Sequence, residues 1–397
     1  MFQTSRRSFL GGVTLAAGGG LATTQVLGAN VSDGHALGYD VAASADFVPL
    51  VPRRGGDPVA FTYSLDKGAL KATSGGWARE VTARQLPIMT GIAGAHLFMN
   101  PGGSREMHWH TSAEWAYVLA GNCQATIMDP EGPVEVVNFA PGDLWYFAGG
   151  HAHALQTLGT EPCHAILAFD DGLYSEHGTF GLSDCVSRFD QAVLAQNFGI
   201  PASAFESFPR GETYIMQGEV IALDSPQAAA VHELDRSKTH RYRLLDEKPW
   251  VDLPGGTIHL ASGKEFPAST TITGMLITLR PGALHELHWH PFANEWKYVA
   301  KGRVRVTLFA WDKKIAMAEL SAGDCAYIPR GCAHLVQNIG LEDCEIVAVH
   351  DKGKYQDDSL SDWVAKAPPH LLANNLGAKE ATIPGFRKTR TVIAASI

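Results

Sequence analysis

No CxxC pair occurs in this 397-residue chain, although it has six cysteines: Cys123, Cys163, Cys185, Cys325, Cys332 and Cys344. That removes the usual thiolate zinc signatures and the dithiol redox motif. Full oxidation would leave about 15 pairings to choose from. A chain this long builds a core without such staples, so buried thiols are expected. An excess of positive charge is also missing. The net charge is -9 and only 18% of residues are charged, which gives no electrostatic footprint for a nucleic-acid partner. A long apolar run is the third absence. The best candidate lies near the N-terminus, is broken by glycines and falls short of a comfortable membrane span.

What is present begins with that N-terminus. "SRRSFLGG" (Ser5 to Gly12) sets two arginines before a weakly apolar stretch that ends near "VLGAN". A basic start, a short apolar middle and small residues before a cleavage point resemble a twin-arginine export signal over residues 1–29. Removing it would take away Arg6 and Arg7 and no acids, shifting the net charge from -9 to -11. The mature protein is then expected to be periplasmic or secreted, with no membrane span left after processing.

The rest of the chain says one thing twice. "PGGSREMHWHTSAEWAYVLAGNCQATI" and "PGDLWYFAGGHAHALQTLG" recur about 180 residues on as "PGALHELHWHPFANEWKYVAKGRVRVTL" and "AGDCAYIPRGCAHLVQNIG". A period of this size is a duplicated domain, not a solenoid. The expected division is 30–235 and 236–397, with 191–240 linking the copies. Glu114 and His153 are 39 residues apart, and so are Glu295 and His334. Short β-branched runs such as "RVRVTLFA" and "EIVAVH", set between turn signals, predict an all-β barrel or sandwich in each copy. Helical texture is confined to the flanks, in "SRFDQAVLAQNFG" and "SLSDWVAKAPPHLLANNLG".

Period two carries the metal argument. Residues i and i+2 of a strand share a face, so His108 and His110 look into one barrel while Trp109 looks out. Glu114 and the distant His153 can converge with them. His288, His290, Glu295 and His334 repeat the set. Three neutral imidazoles and one carboxylate leave a divalent ion with net charge +1 and open positions for an anion. Zinc prefers four-coordinate closure. Hard carboxylate with imidazole suits manganese or iron.

These residues resemble a known pattern, the cupin double motif. Copy one matches with Gly102, His108, His110, Glu114, Gly121, Gly142, Gly150 and His153, and departs at Ala148 and Thr157. Copy two matches throughout, with Gly282, His288, His290, Glu295, Gly302, Gly323, Pro329, Gly331, His334 and Asn338. The chain therefore resembles a bicupin, expected to fold as two tandem jelly-roll β-barrels with short flanking helices.

Within bicupins, "GGWAREVTARQLPI", "GDLWYF", "FDDGLYSEHGTF" and "NEWKYV" are similar to the oxalate decarboxylases. That resemblance implies a carboxy-lyase that turns oxalate and H+ into formate and CO2. It implies two manganese ions per chain, dioxygen that is required but not consumed, and a homo-oligomer. It makes Arg105 the substrate-binding arginine. Glu176, in the lid segment "SEHGT", becomes the acid–base catalyst, although His177 and Gly178 depart from the usual lid. Glu345 becomes a candidate proton donor in copy two, where His285 stands in place of a second arginine. Site one is the expected main catalyst. Two alternatives stay open: an oxalate oxidase yielding CO2 and hydrogen peroxide, and a non-catalytic storage or sugar-binding bicupin.

Overall fold

The computed structural model describes residues 60–175, 178–310, 313–380 and 389–396. Each repeat is a pair of facing antiparallel sheets, one of seven strands and one of six. In the first repeat the seven-stranded sheet runs, in spatial order, Arg241–Arg243, Asp143–Phe147, Glu114–Ala120, Cys163–Phe169, Ala93–Met99, Gly76–Val81 and Ala69–Thr73. The facing sheet is built on Phe180–Gly181, Gly103–Trp109, Ala152–Leu158, Asn122–Met128 and Val134–Phe139, with Ile215–Gln217 also paired to Gly103–Trp109. The second repeat copies both sheets. This is the all-β, two-barrel jelly roll expected of the sequence.

The outermost strands of the seven-stranded sheets are exchanged. Thr62–Ser64 lies before the first repeat yet pairs with Asp324–Ile328 of the second, with Thr62 opposite Ala326. Arg241–Arg243 introduces the second repeat yet pairs with Asp143–Phe147 of the first, with Arg241 opposite Trp145. The barrels also share a core, in which Trp115, Tyr117, Leu144, Tyr146 and Ile166 pack with Trp296, Tyr298, Tyr327, Val347 and Val349. Two glycines make that contact possible. A Cβ on Gly274 would stand 2.0 Å from the Trp115 ring, and one on Gly94 would stand 2.3 Å from the Trp296 ring.

The flanking segments form helices, each broken once. Leu182–Arg188 and Gln191–Phe198 are separated at Phe189–Asp190, where the Asp190 carboxylate accepts the Ala192 N–H and starts the second helix. Leu360–Lys366 and Pro369–Leu376 part at Ala367–Pro368, where proline holds the preceding residue extended.

The linker is tied to the first barrel by one buried carboxylate. Glu135 accepts from the backbone N–H groups of Leu234 and His240, the Thr239 hydroxyl and His240 Nδ1, all within 3.0 Å.

Candidate metal centres

The ligand residues come from three strands of each barrel. In the first, Gly103–Trp109 ends just before His110, Glu114 opens Glu114–Ala120, and His153 sits in Ala152–Leu158 directly opposite His108. His108, His110, Glu114 and His153 are each at most 4% exposed, and their donor atoms lie within 4.8 Å of one another. His288, His290, Glu295 and His334 form the same arrangement in the second barrel.

Backbone carbonyls decide which ring nitrogen faces inward. His108 Nδ1 meets Glu106 O at 2.8 Å, His110 Nδ1 meets Ser112 O at 2.7 Å, and His153 Nδ1 meets His151 O at 2.9 Å. In the second barrel His288, His290 and His334 are held by Glu286 O, Gln356 O and Cys332 O at 2.6, 3.1 and 3.1 Å. A carbonyl accepts only, so each Nδ1 carries the proton and each Nε2 presents a lone pair. Those atoms then converge on carboxylate oxygens: His110 Nε2 is 3.2 Å from Glu114 Oε2, and His334 Nε2 is 2.8 Å from Glu295 Oε2. His153 Nε2, His288 Nε2, His334 Nε2 and Glu295 Oε2 have no hydrogen-bond partner although buried. Lone pairs gathered in a dry interior cost free energy until a cation receives them. Both sets therefore fit a divalent ion.

Burial alone would push Glu114 up, but His110 and His153, whenever a proton sits on their Nε2 in place of an ion, outweigh it and hold the carboxyl well below the usual range. Burial, followed by the Arg105 charge, keeps His108 neutral far below its ordinary value. Neutral imidazole and ionised carboxylate are the forms that bind metal.

Arg105 reaches the first centre by a β-bulge. Three residues separate it from His108, which would put the two on opposite faces of a regular strand. The partner strand counts only two over the same interval, since His153 faces His108 and Leu155 faces Arg105. The extra residue turns both side chains inward. Arg105 is 4% exposed and lines one cavity with His108, Glu114, Phe169, Tyr174 and Tyr214. Its guanidinium lies 4.4 Å from the Tyr214 ring centre and donates to Tyr214 O at 3.3 Å. Tyr214 itself has φ 57°, a left-handed backbone for a bulky residue, and its N–H is taken by Glu106 Oε1 at 3.0 Å. Neither Tyr214 nor Glu106 stands out in the sequence. Glu176 and His177 lie outside the described residues, as does the export-signal segment 1–29.

In the second barrel the same bulge delivers His285, 1% exposed, whose ring sits 4.2 Å from that of His288. Two residues that the sequence reading passed over complete the surroundings. The ammonium of Lys297, 1% exposed, binds Glu295 Oε1. His350, also 1% exposed, points its Nε2 at His290 Nε2 from 3.2 Å. Comparing the copies would have found both, since Ala116 and Phe169 stand 181 residues earlier.

Glu345 requires a correction. It shares the strand Cys344–His350 with His350, which borders the metal centre. Five residues separate them, an odd number, so Glu345 faces away from the ligands, roughly 17 Å along the strand. Its charge falls on Tyr117 of the first repeat, where, after burial, it helps raise the phenol to about 12. The inward-facing position next to His350 is Ala348, which has no proton to give.

Two antiparallel barrels, each with a buried three-histidine, one-glutamate set at its centre, define a bicupin metalloprotein. The Cupin family model accordingly matches twice, over residues 63–204 and 242–383. The chain belongs to the oxalate decarboxylase family of bicupins. It is 37% identical over 316 residues to oxalate decarboxylase OxdC of Bacillus subtilis (strain 168), covering 80% of this chain and 81% of that one. It is 30% identical over 374 residues to an oxalate decarboxylase of Arthroderma benhamiae, covering 87% and 85%. The solved structure of the Bacillus subtilis enzyme at pH 4.6 superposes with a TM-score of 0.80 at 33% identity, over 86% of this chain and 89% of that one. Another structure of that enzyme, studied for its Mn(II) centres, gives a TM-score of 0.79 at 33% identity, over 86% and 90%.

Proposed function

We propose that this protein is a manganese-dependent oxalate decarboxylase, that the first centre is its main catalyst, and that dioxygen is required without being consumed. The observation that carries the reading is Arg105, buried in one cavity with His108 and Glu114. A manganese ion held by His108, His110, Glu114 and His153 would supply a position for one carboxylate and the redox chemistry. Arg105 would neutralise the other carboxylate with a permanent, bidentate charge. Glu176 would take the proton from hydrogen oxalate and return it to the carbon that becomes formate. The reaction balances as C2HO4− giving HCO2− and CO2. Tyr174, stacked on Phe169 at 3.5 Å, lines the same cavity and stands two residues before Glu176 in the sequence.

Assaying the purified protein on oxalate, with formate and hydrogen peroxide measured together, tests this reading. Formate as the main product supports it; peroxide in amounts matching CO2 would make the protein an oxidase, and no turnover would leave a metal-binding bicupin.

We further propose that residues 1–29 direct export, that the mature protein is periplasmic or secreted, that 30–235 and 236–397 are the two cupin domains, and that the protein is a homo-oligomer. Among the described residues no helix is long and apolar enough to cross a membrane. Replacing Arg6 and Arg7 by Lys should leave the protein in the cytoplasm.

A further inference from the structure

We propose that His350 is a fifth protein ligand of the second metal centre and takes up a coordination position that the first centre leaves open. The inference rests on the reading that this centre holds a divalent ion.

Geometry comes first. Two ligands at right angles, each about 2.1 Å from an ion, stand about 3.0 Å apart. His350 Nε2 stands 3.2 Å from His290 Nε2, in the same range as the 3.4 Å between His290 Nε2 and Glu295 Oε2, but outside the set of donor atoms that all lie within 4.8 Å of one another, so its ring has to swing inward to ligate. Tautomers come second. His290 Nδ1 faces the Gln356 carbonyl, so its Nε2 offers a lone pair to the centre. An ion takes that lone pair. A proton on His350 Nε2 would then have only Glu295 Oε1, 3.5 Å away and already holding Lys297. As a second lone pair, the same nitrogen gains a partner in the ion, and that gain must outweigh the cost of a proton on His350 Nδ1, which is buried with no acceptor.

The comparison between barrels gives the consequence. Phe169 and His350 occupy equivalent places, opposite Glu114 and Glu295 respectively. In the first barrel Phe169 forms part of the cavity wall beside Arg105. In the second, that wall carries a ligating imidazole, and the arginine position holds His285. A coordination position left to substrate in one copy is filled by protein in the other. Four imidazoles also move the centre's preference toward the nitrogen-loving end of the divalent series.

The test removes the first centre with His110→Ala and loads the full-length chain with manganese. Pulsed EPR with 15N-histidine labelling then counts imidazoles on the remaining ion. Four are expected, falling to three in His350→Phe. Chelator-driven loss of that ion should quicken at least tenfold. Phenylalanine already fits the equivalent place in the first barrel, and His350→Gln with a melting curve guards against a folding defect. Three imidazoles in the parent, or a spectrum unchanged by both substitutions, overturns the proposal, as does a second centre that takes up no ion. Absence of oxalate turnover would overturn the decarboxylase reading and leave this one standing.

Discussion

Trp145 donates its indole N–H to Glu114 Oε1 at 2.8 Å, leaving Oε2 to face the histidines of the first centre. In the second centre the same role falls to a cation, because Lys297 binds Glu295 Oε1 and alanine stands where the indole would be, at Ala326. A neutral donor orients the carboxylate without reducing its charge toward a metal; an ammonium does both. The two ions therefore bind to carboxylates of different strength.

The Trp145 contact gives the first prediction. Trp145→Phe keeps the buried ring and removes the N–H. Outer partners of this kind are worth about 10–100-fold in metal affinity. Competition with a fluorescent chelator should show that loss at the first centre and an unchanged second centre.

Metal content separates the centres directly. The protein should carry close to two ions per chain by elemental analysis. His110→Ala should lose one and His290→Ala the other. Stoichiometric zinc, with activity intact after growth in manganese-rich medium, would reject manganese as the cofactor.

Arg105→Lys replaces a planar fork, stacked on Tyr214, by a point charge. It should lower kcat/KM on oxalate at least tenfold while both ions stay bound. Near-wild-type kcat/KM would remove Arg105 from the reaction.

Glu176→Gln should cost about 10²–10⁴-fold in formate production, the usual worth of a general acid–base group. Metal content should not change. A loss below about tenfold would place the proton transfer elsewhere, and Glu345, on the far face of its strand, is no longer a candidate.

Glu135 provides a pH test of the linker. Burial pushes its carboxyl up from 4.5, but hydrogen bonds from His240, Thr239 and the backbone outweigh that and lower it. A depressed carboxylate stabilises the fold above its unfolded value and loses that contribution as pH falls through the folded one. Glu135→Gln should therefore cost about 1.5–3 kcal/mol at pH 7. Urea midpoints at pH 7 and pH 3 should show the gap between the two proteins narrowing in acid.

The eight ligands were legible because period two and the repeated 39-residue interval express strand geometry directly. Arg105 is a different case. Its spacing from His108 is odd, and only a bulge, which local alternation does not encode, brings the two together. Glu345 was misplaced for the complementary reason: its strand is regular, and counting back from His350 puts it outside. Lys297 and His350 read as ordinary residues of "EWKYV" and "IVAVHD". Their meaning appears only when each copy is set against the other and a charge is found where the first barrel has Ala116 or Phe169.

The reciprocal placement of Thr62–Ser64 and Arg241–Arg243 bears on where such a chain comes from. A lone barrel of this kind would leave one edge of its larger sheet bare, and a bare edge recruits another chain. Two identical barrels trading their leading strands would satisfy both edges at once, as a domain-swapped pair with two-fold symmetry does. This polypeptide has the architecture of that pair written as one chain. Fusion frees the halves from being identical, and that freedom is what allows one metal pocket to keep an arginine while its twin gathers histidines.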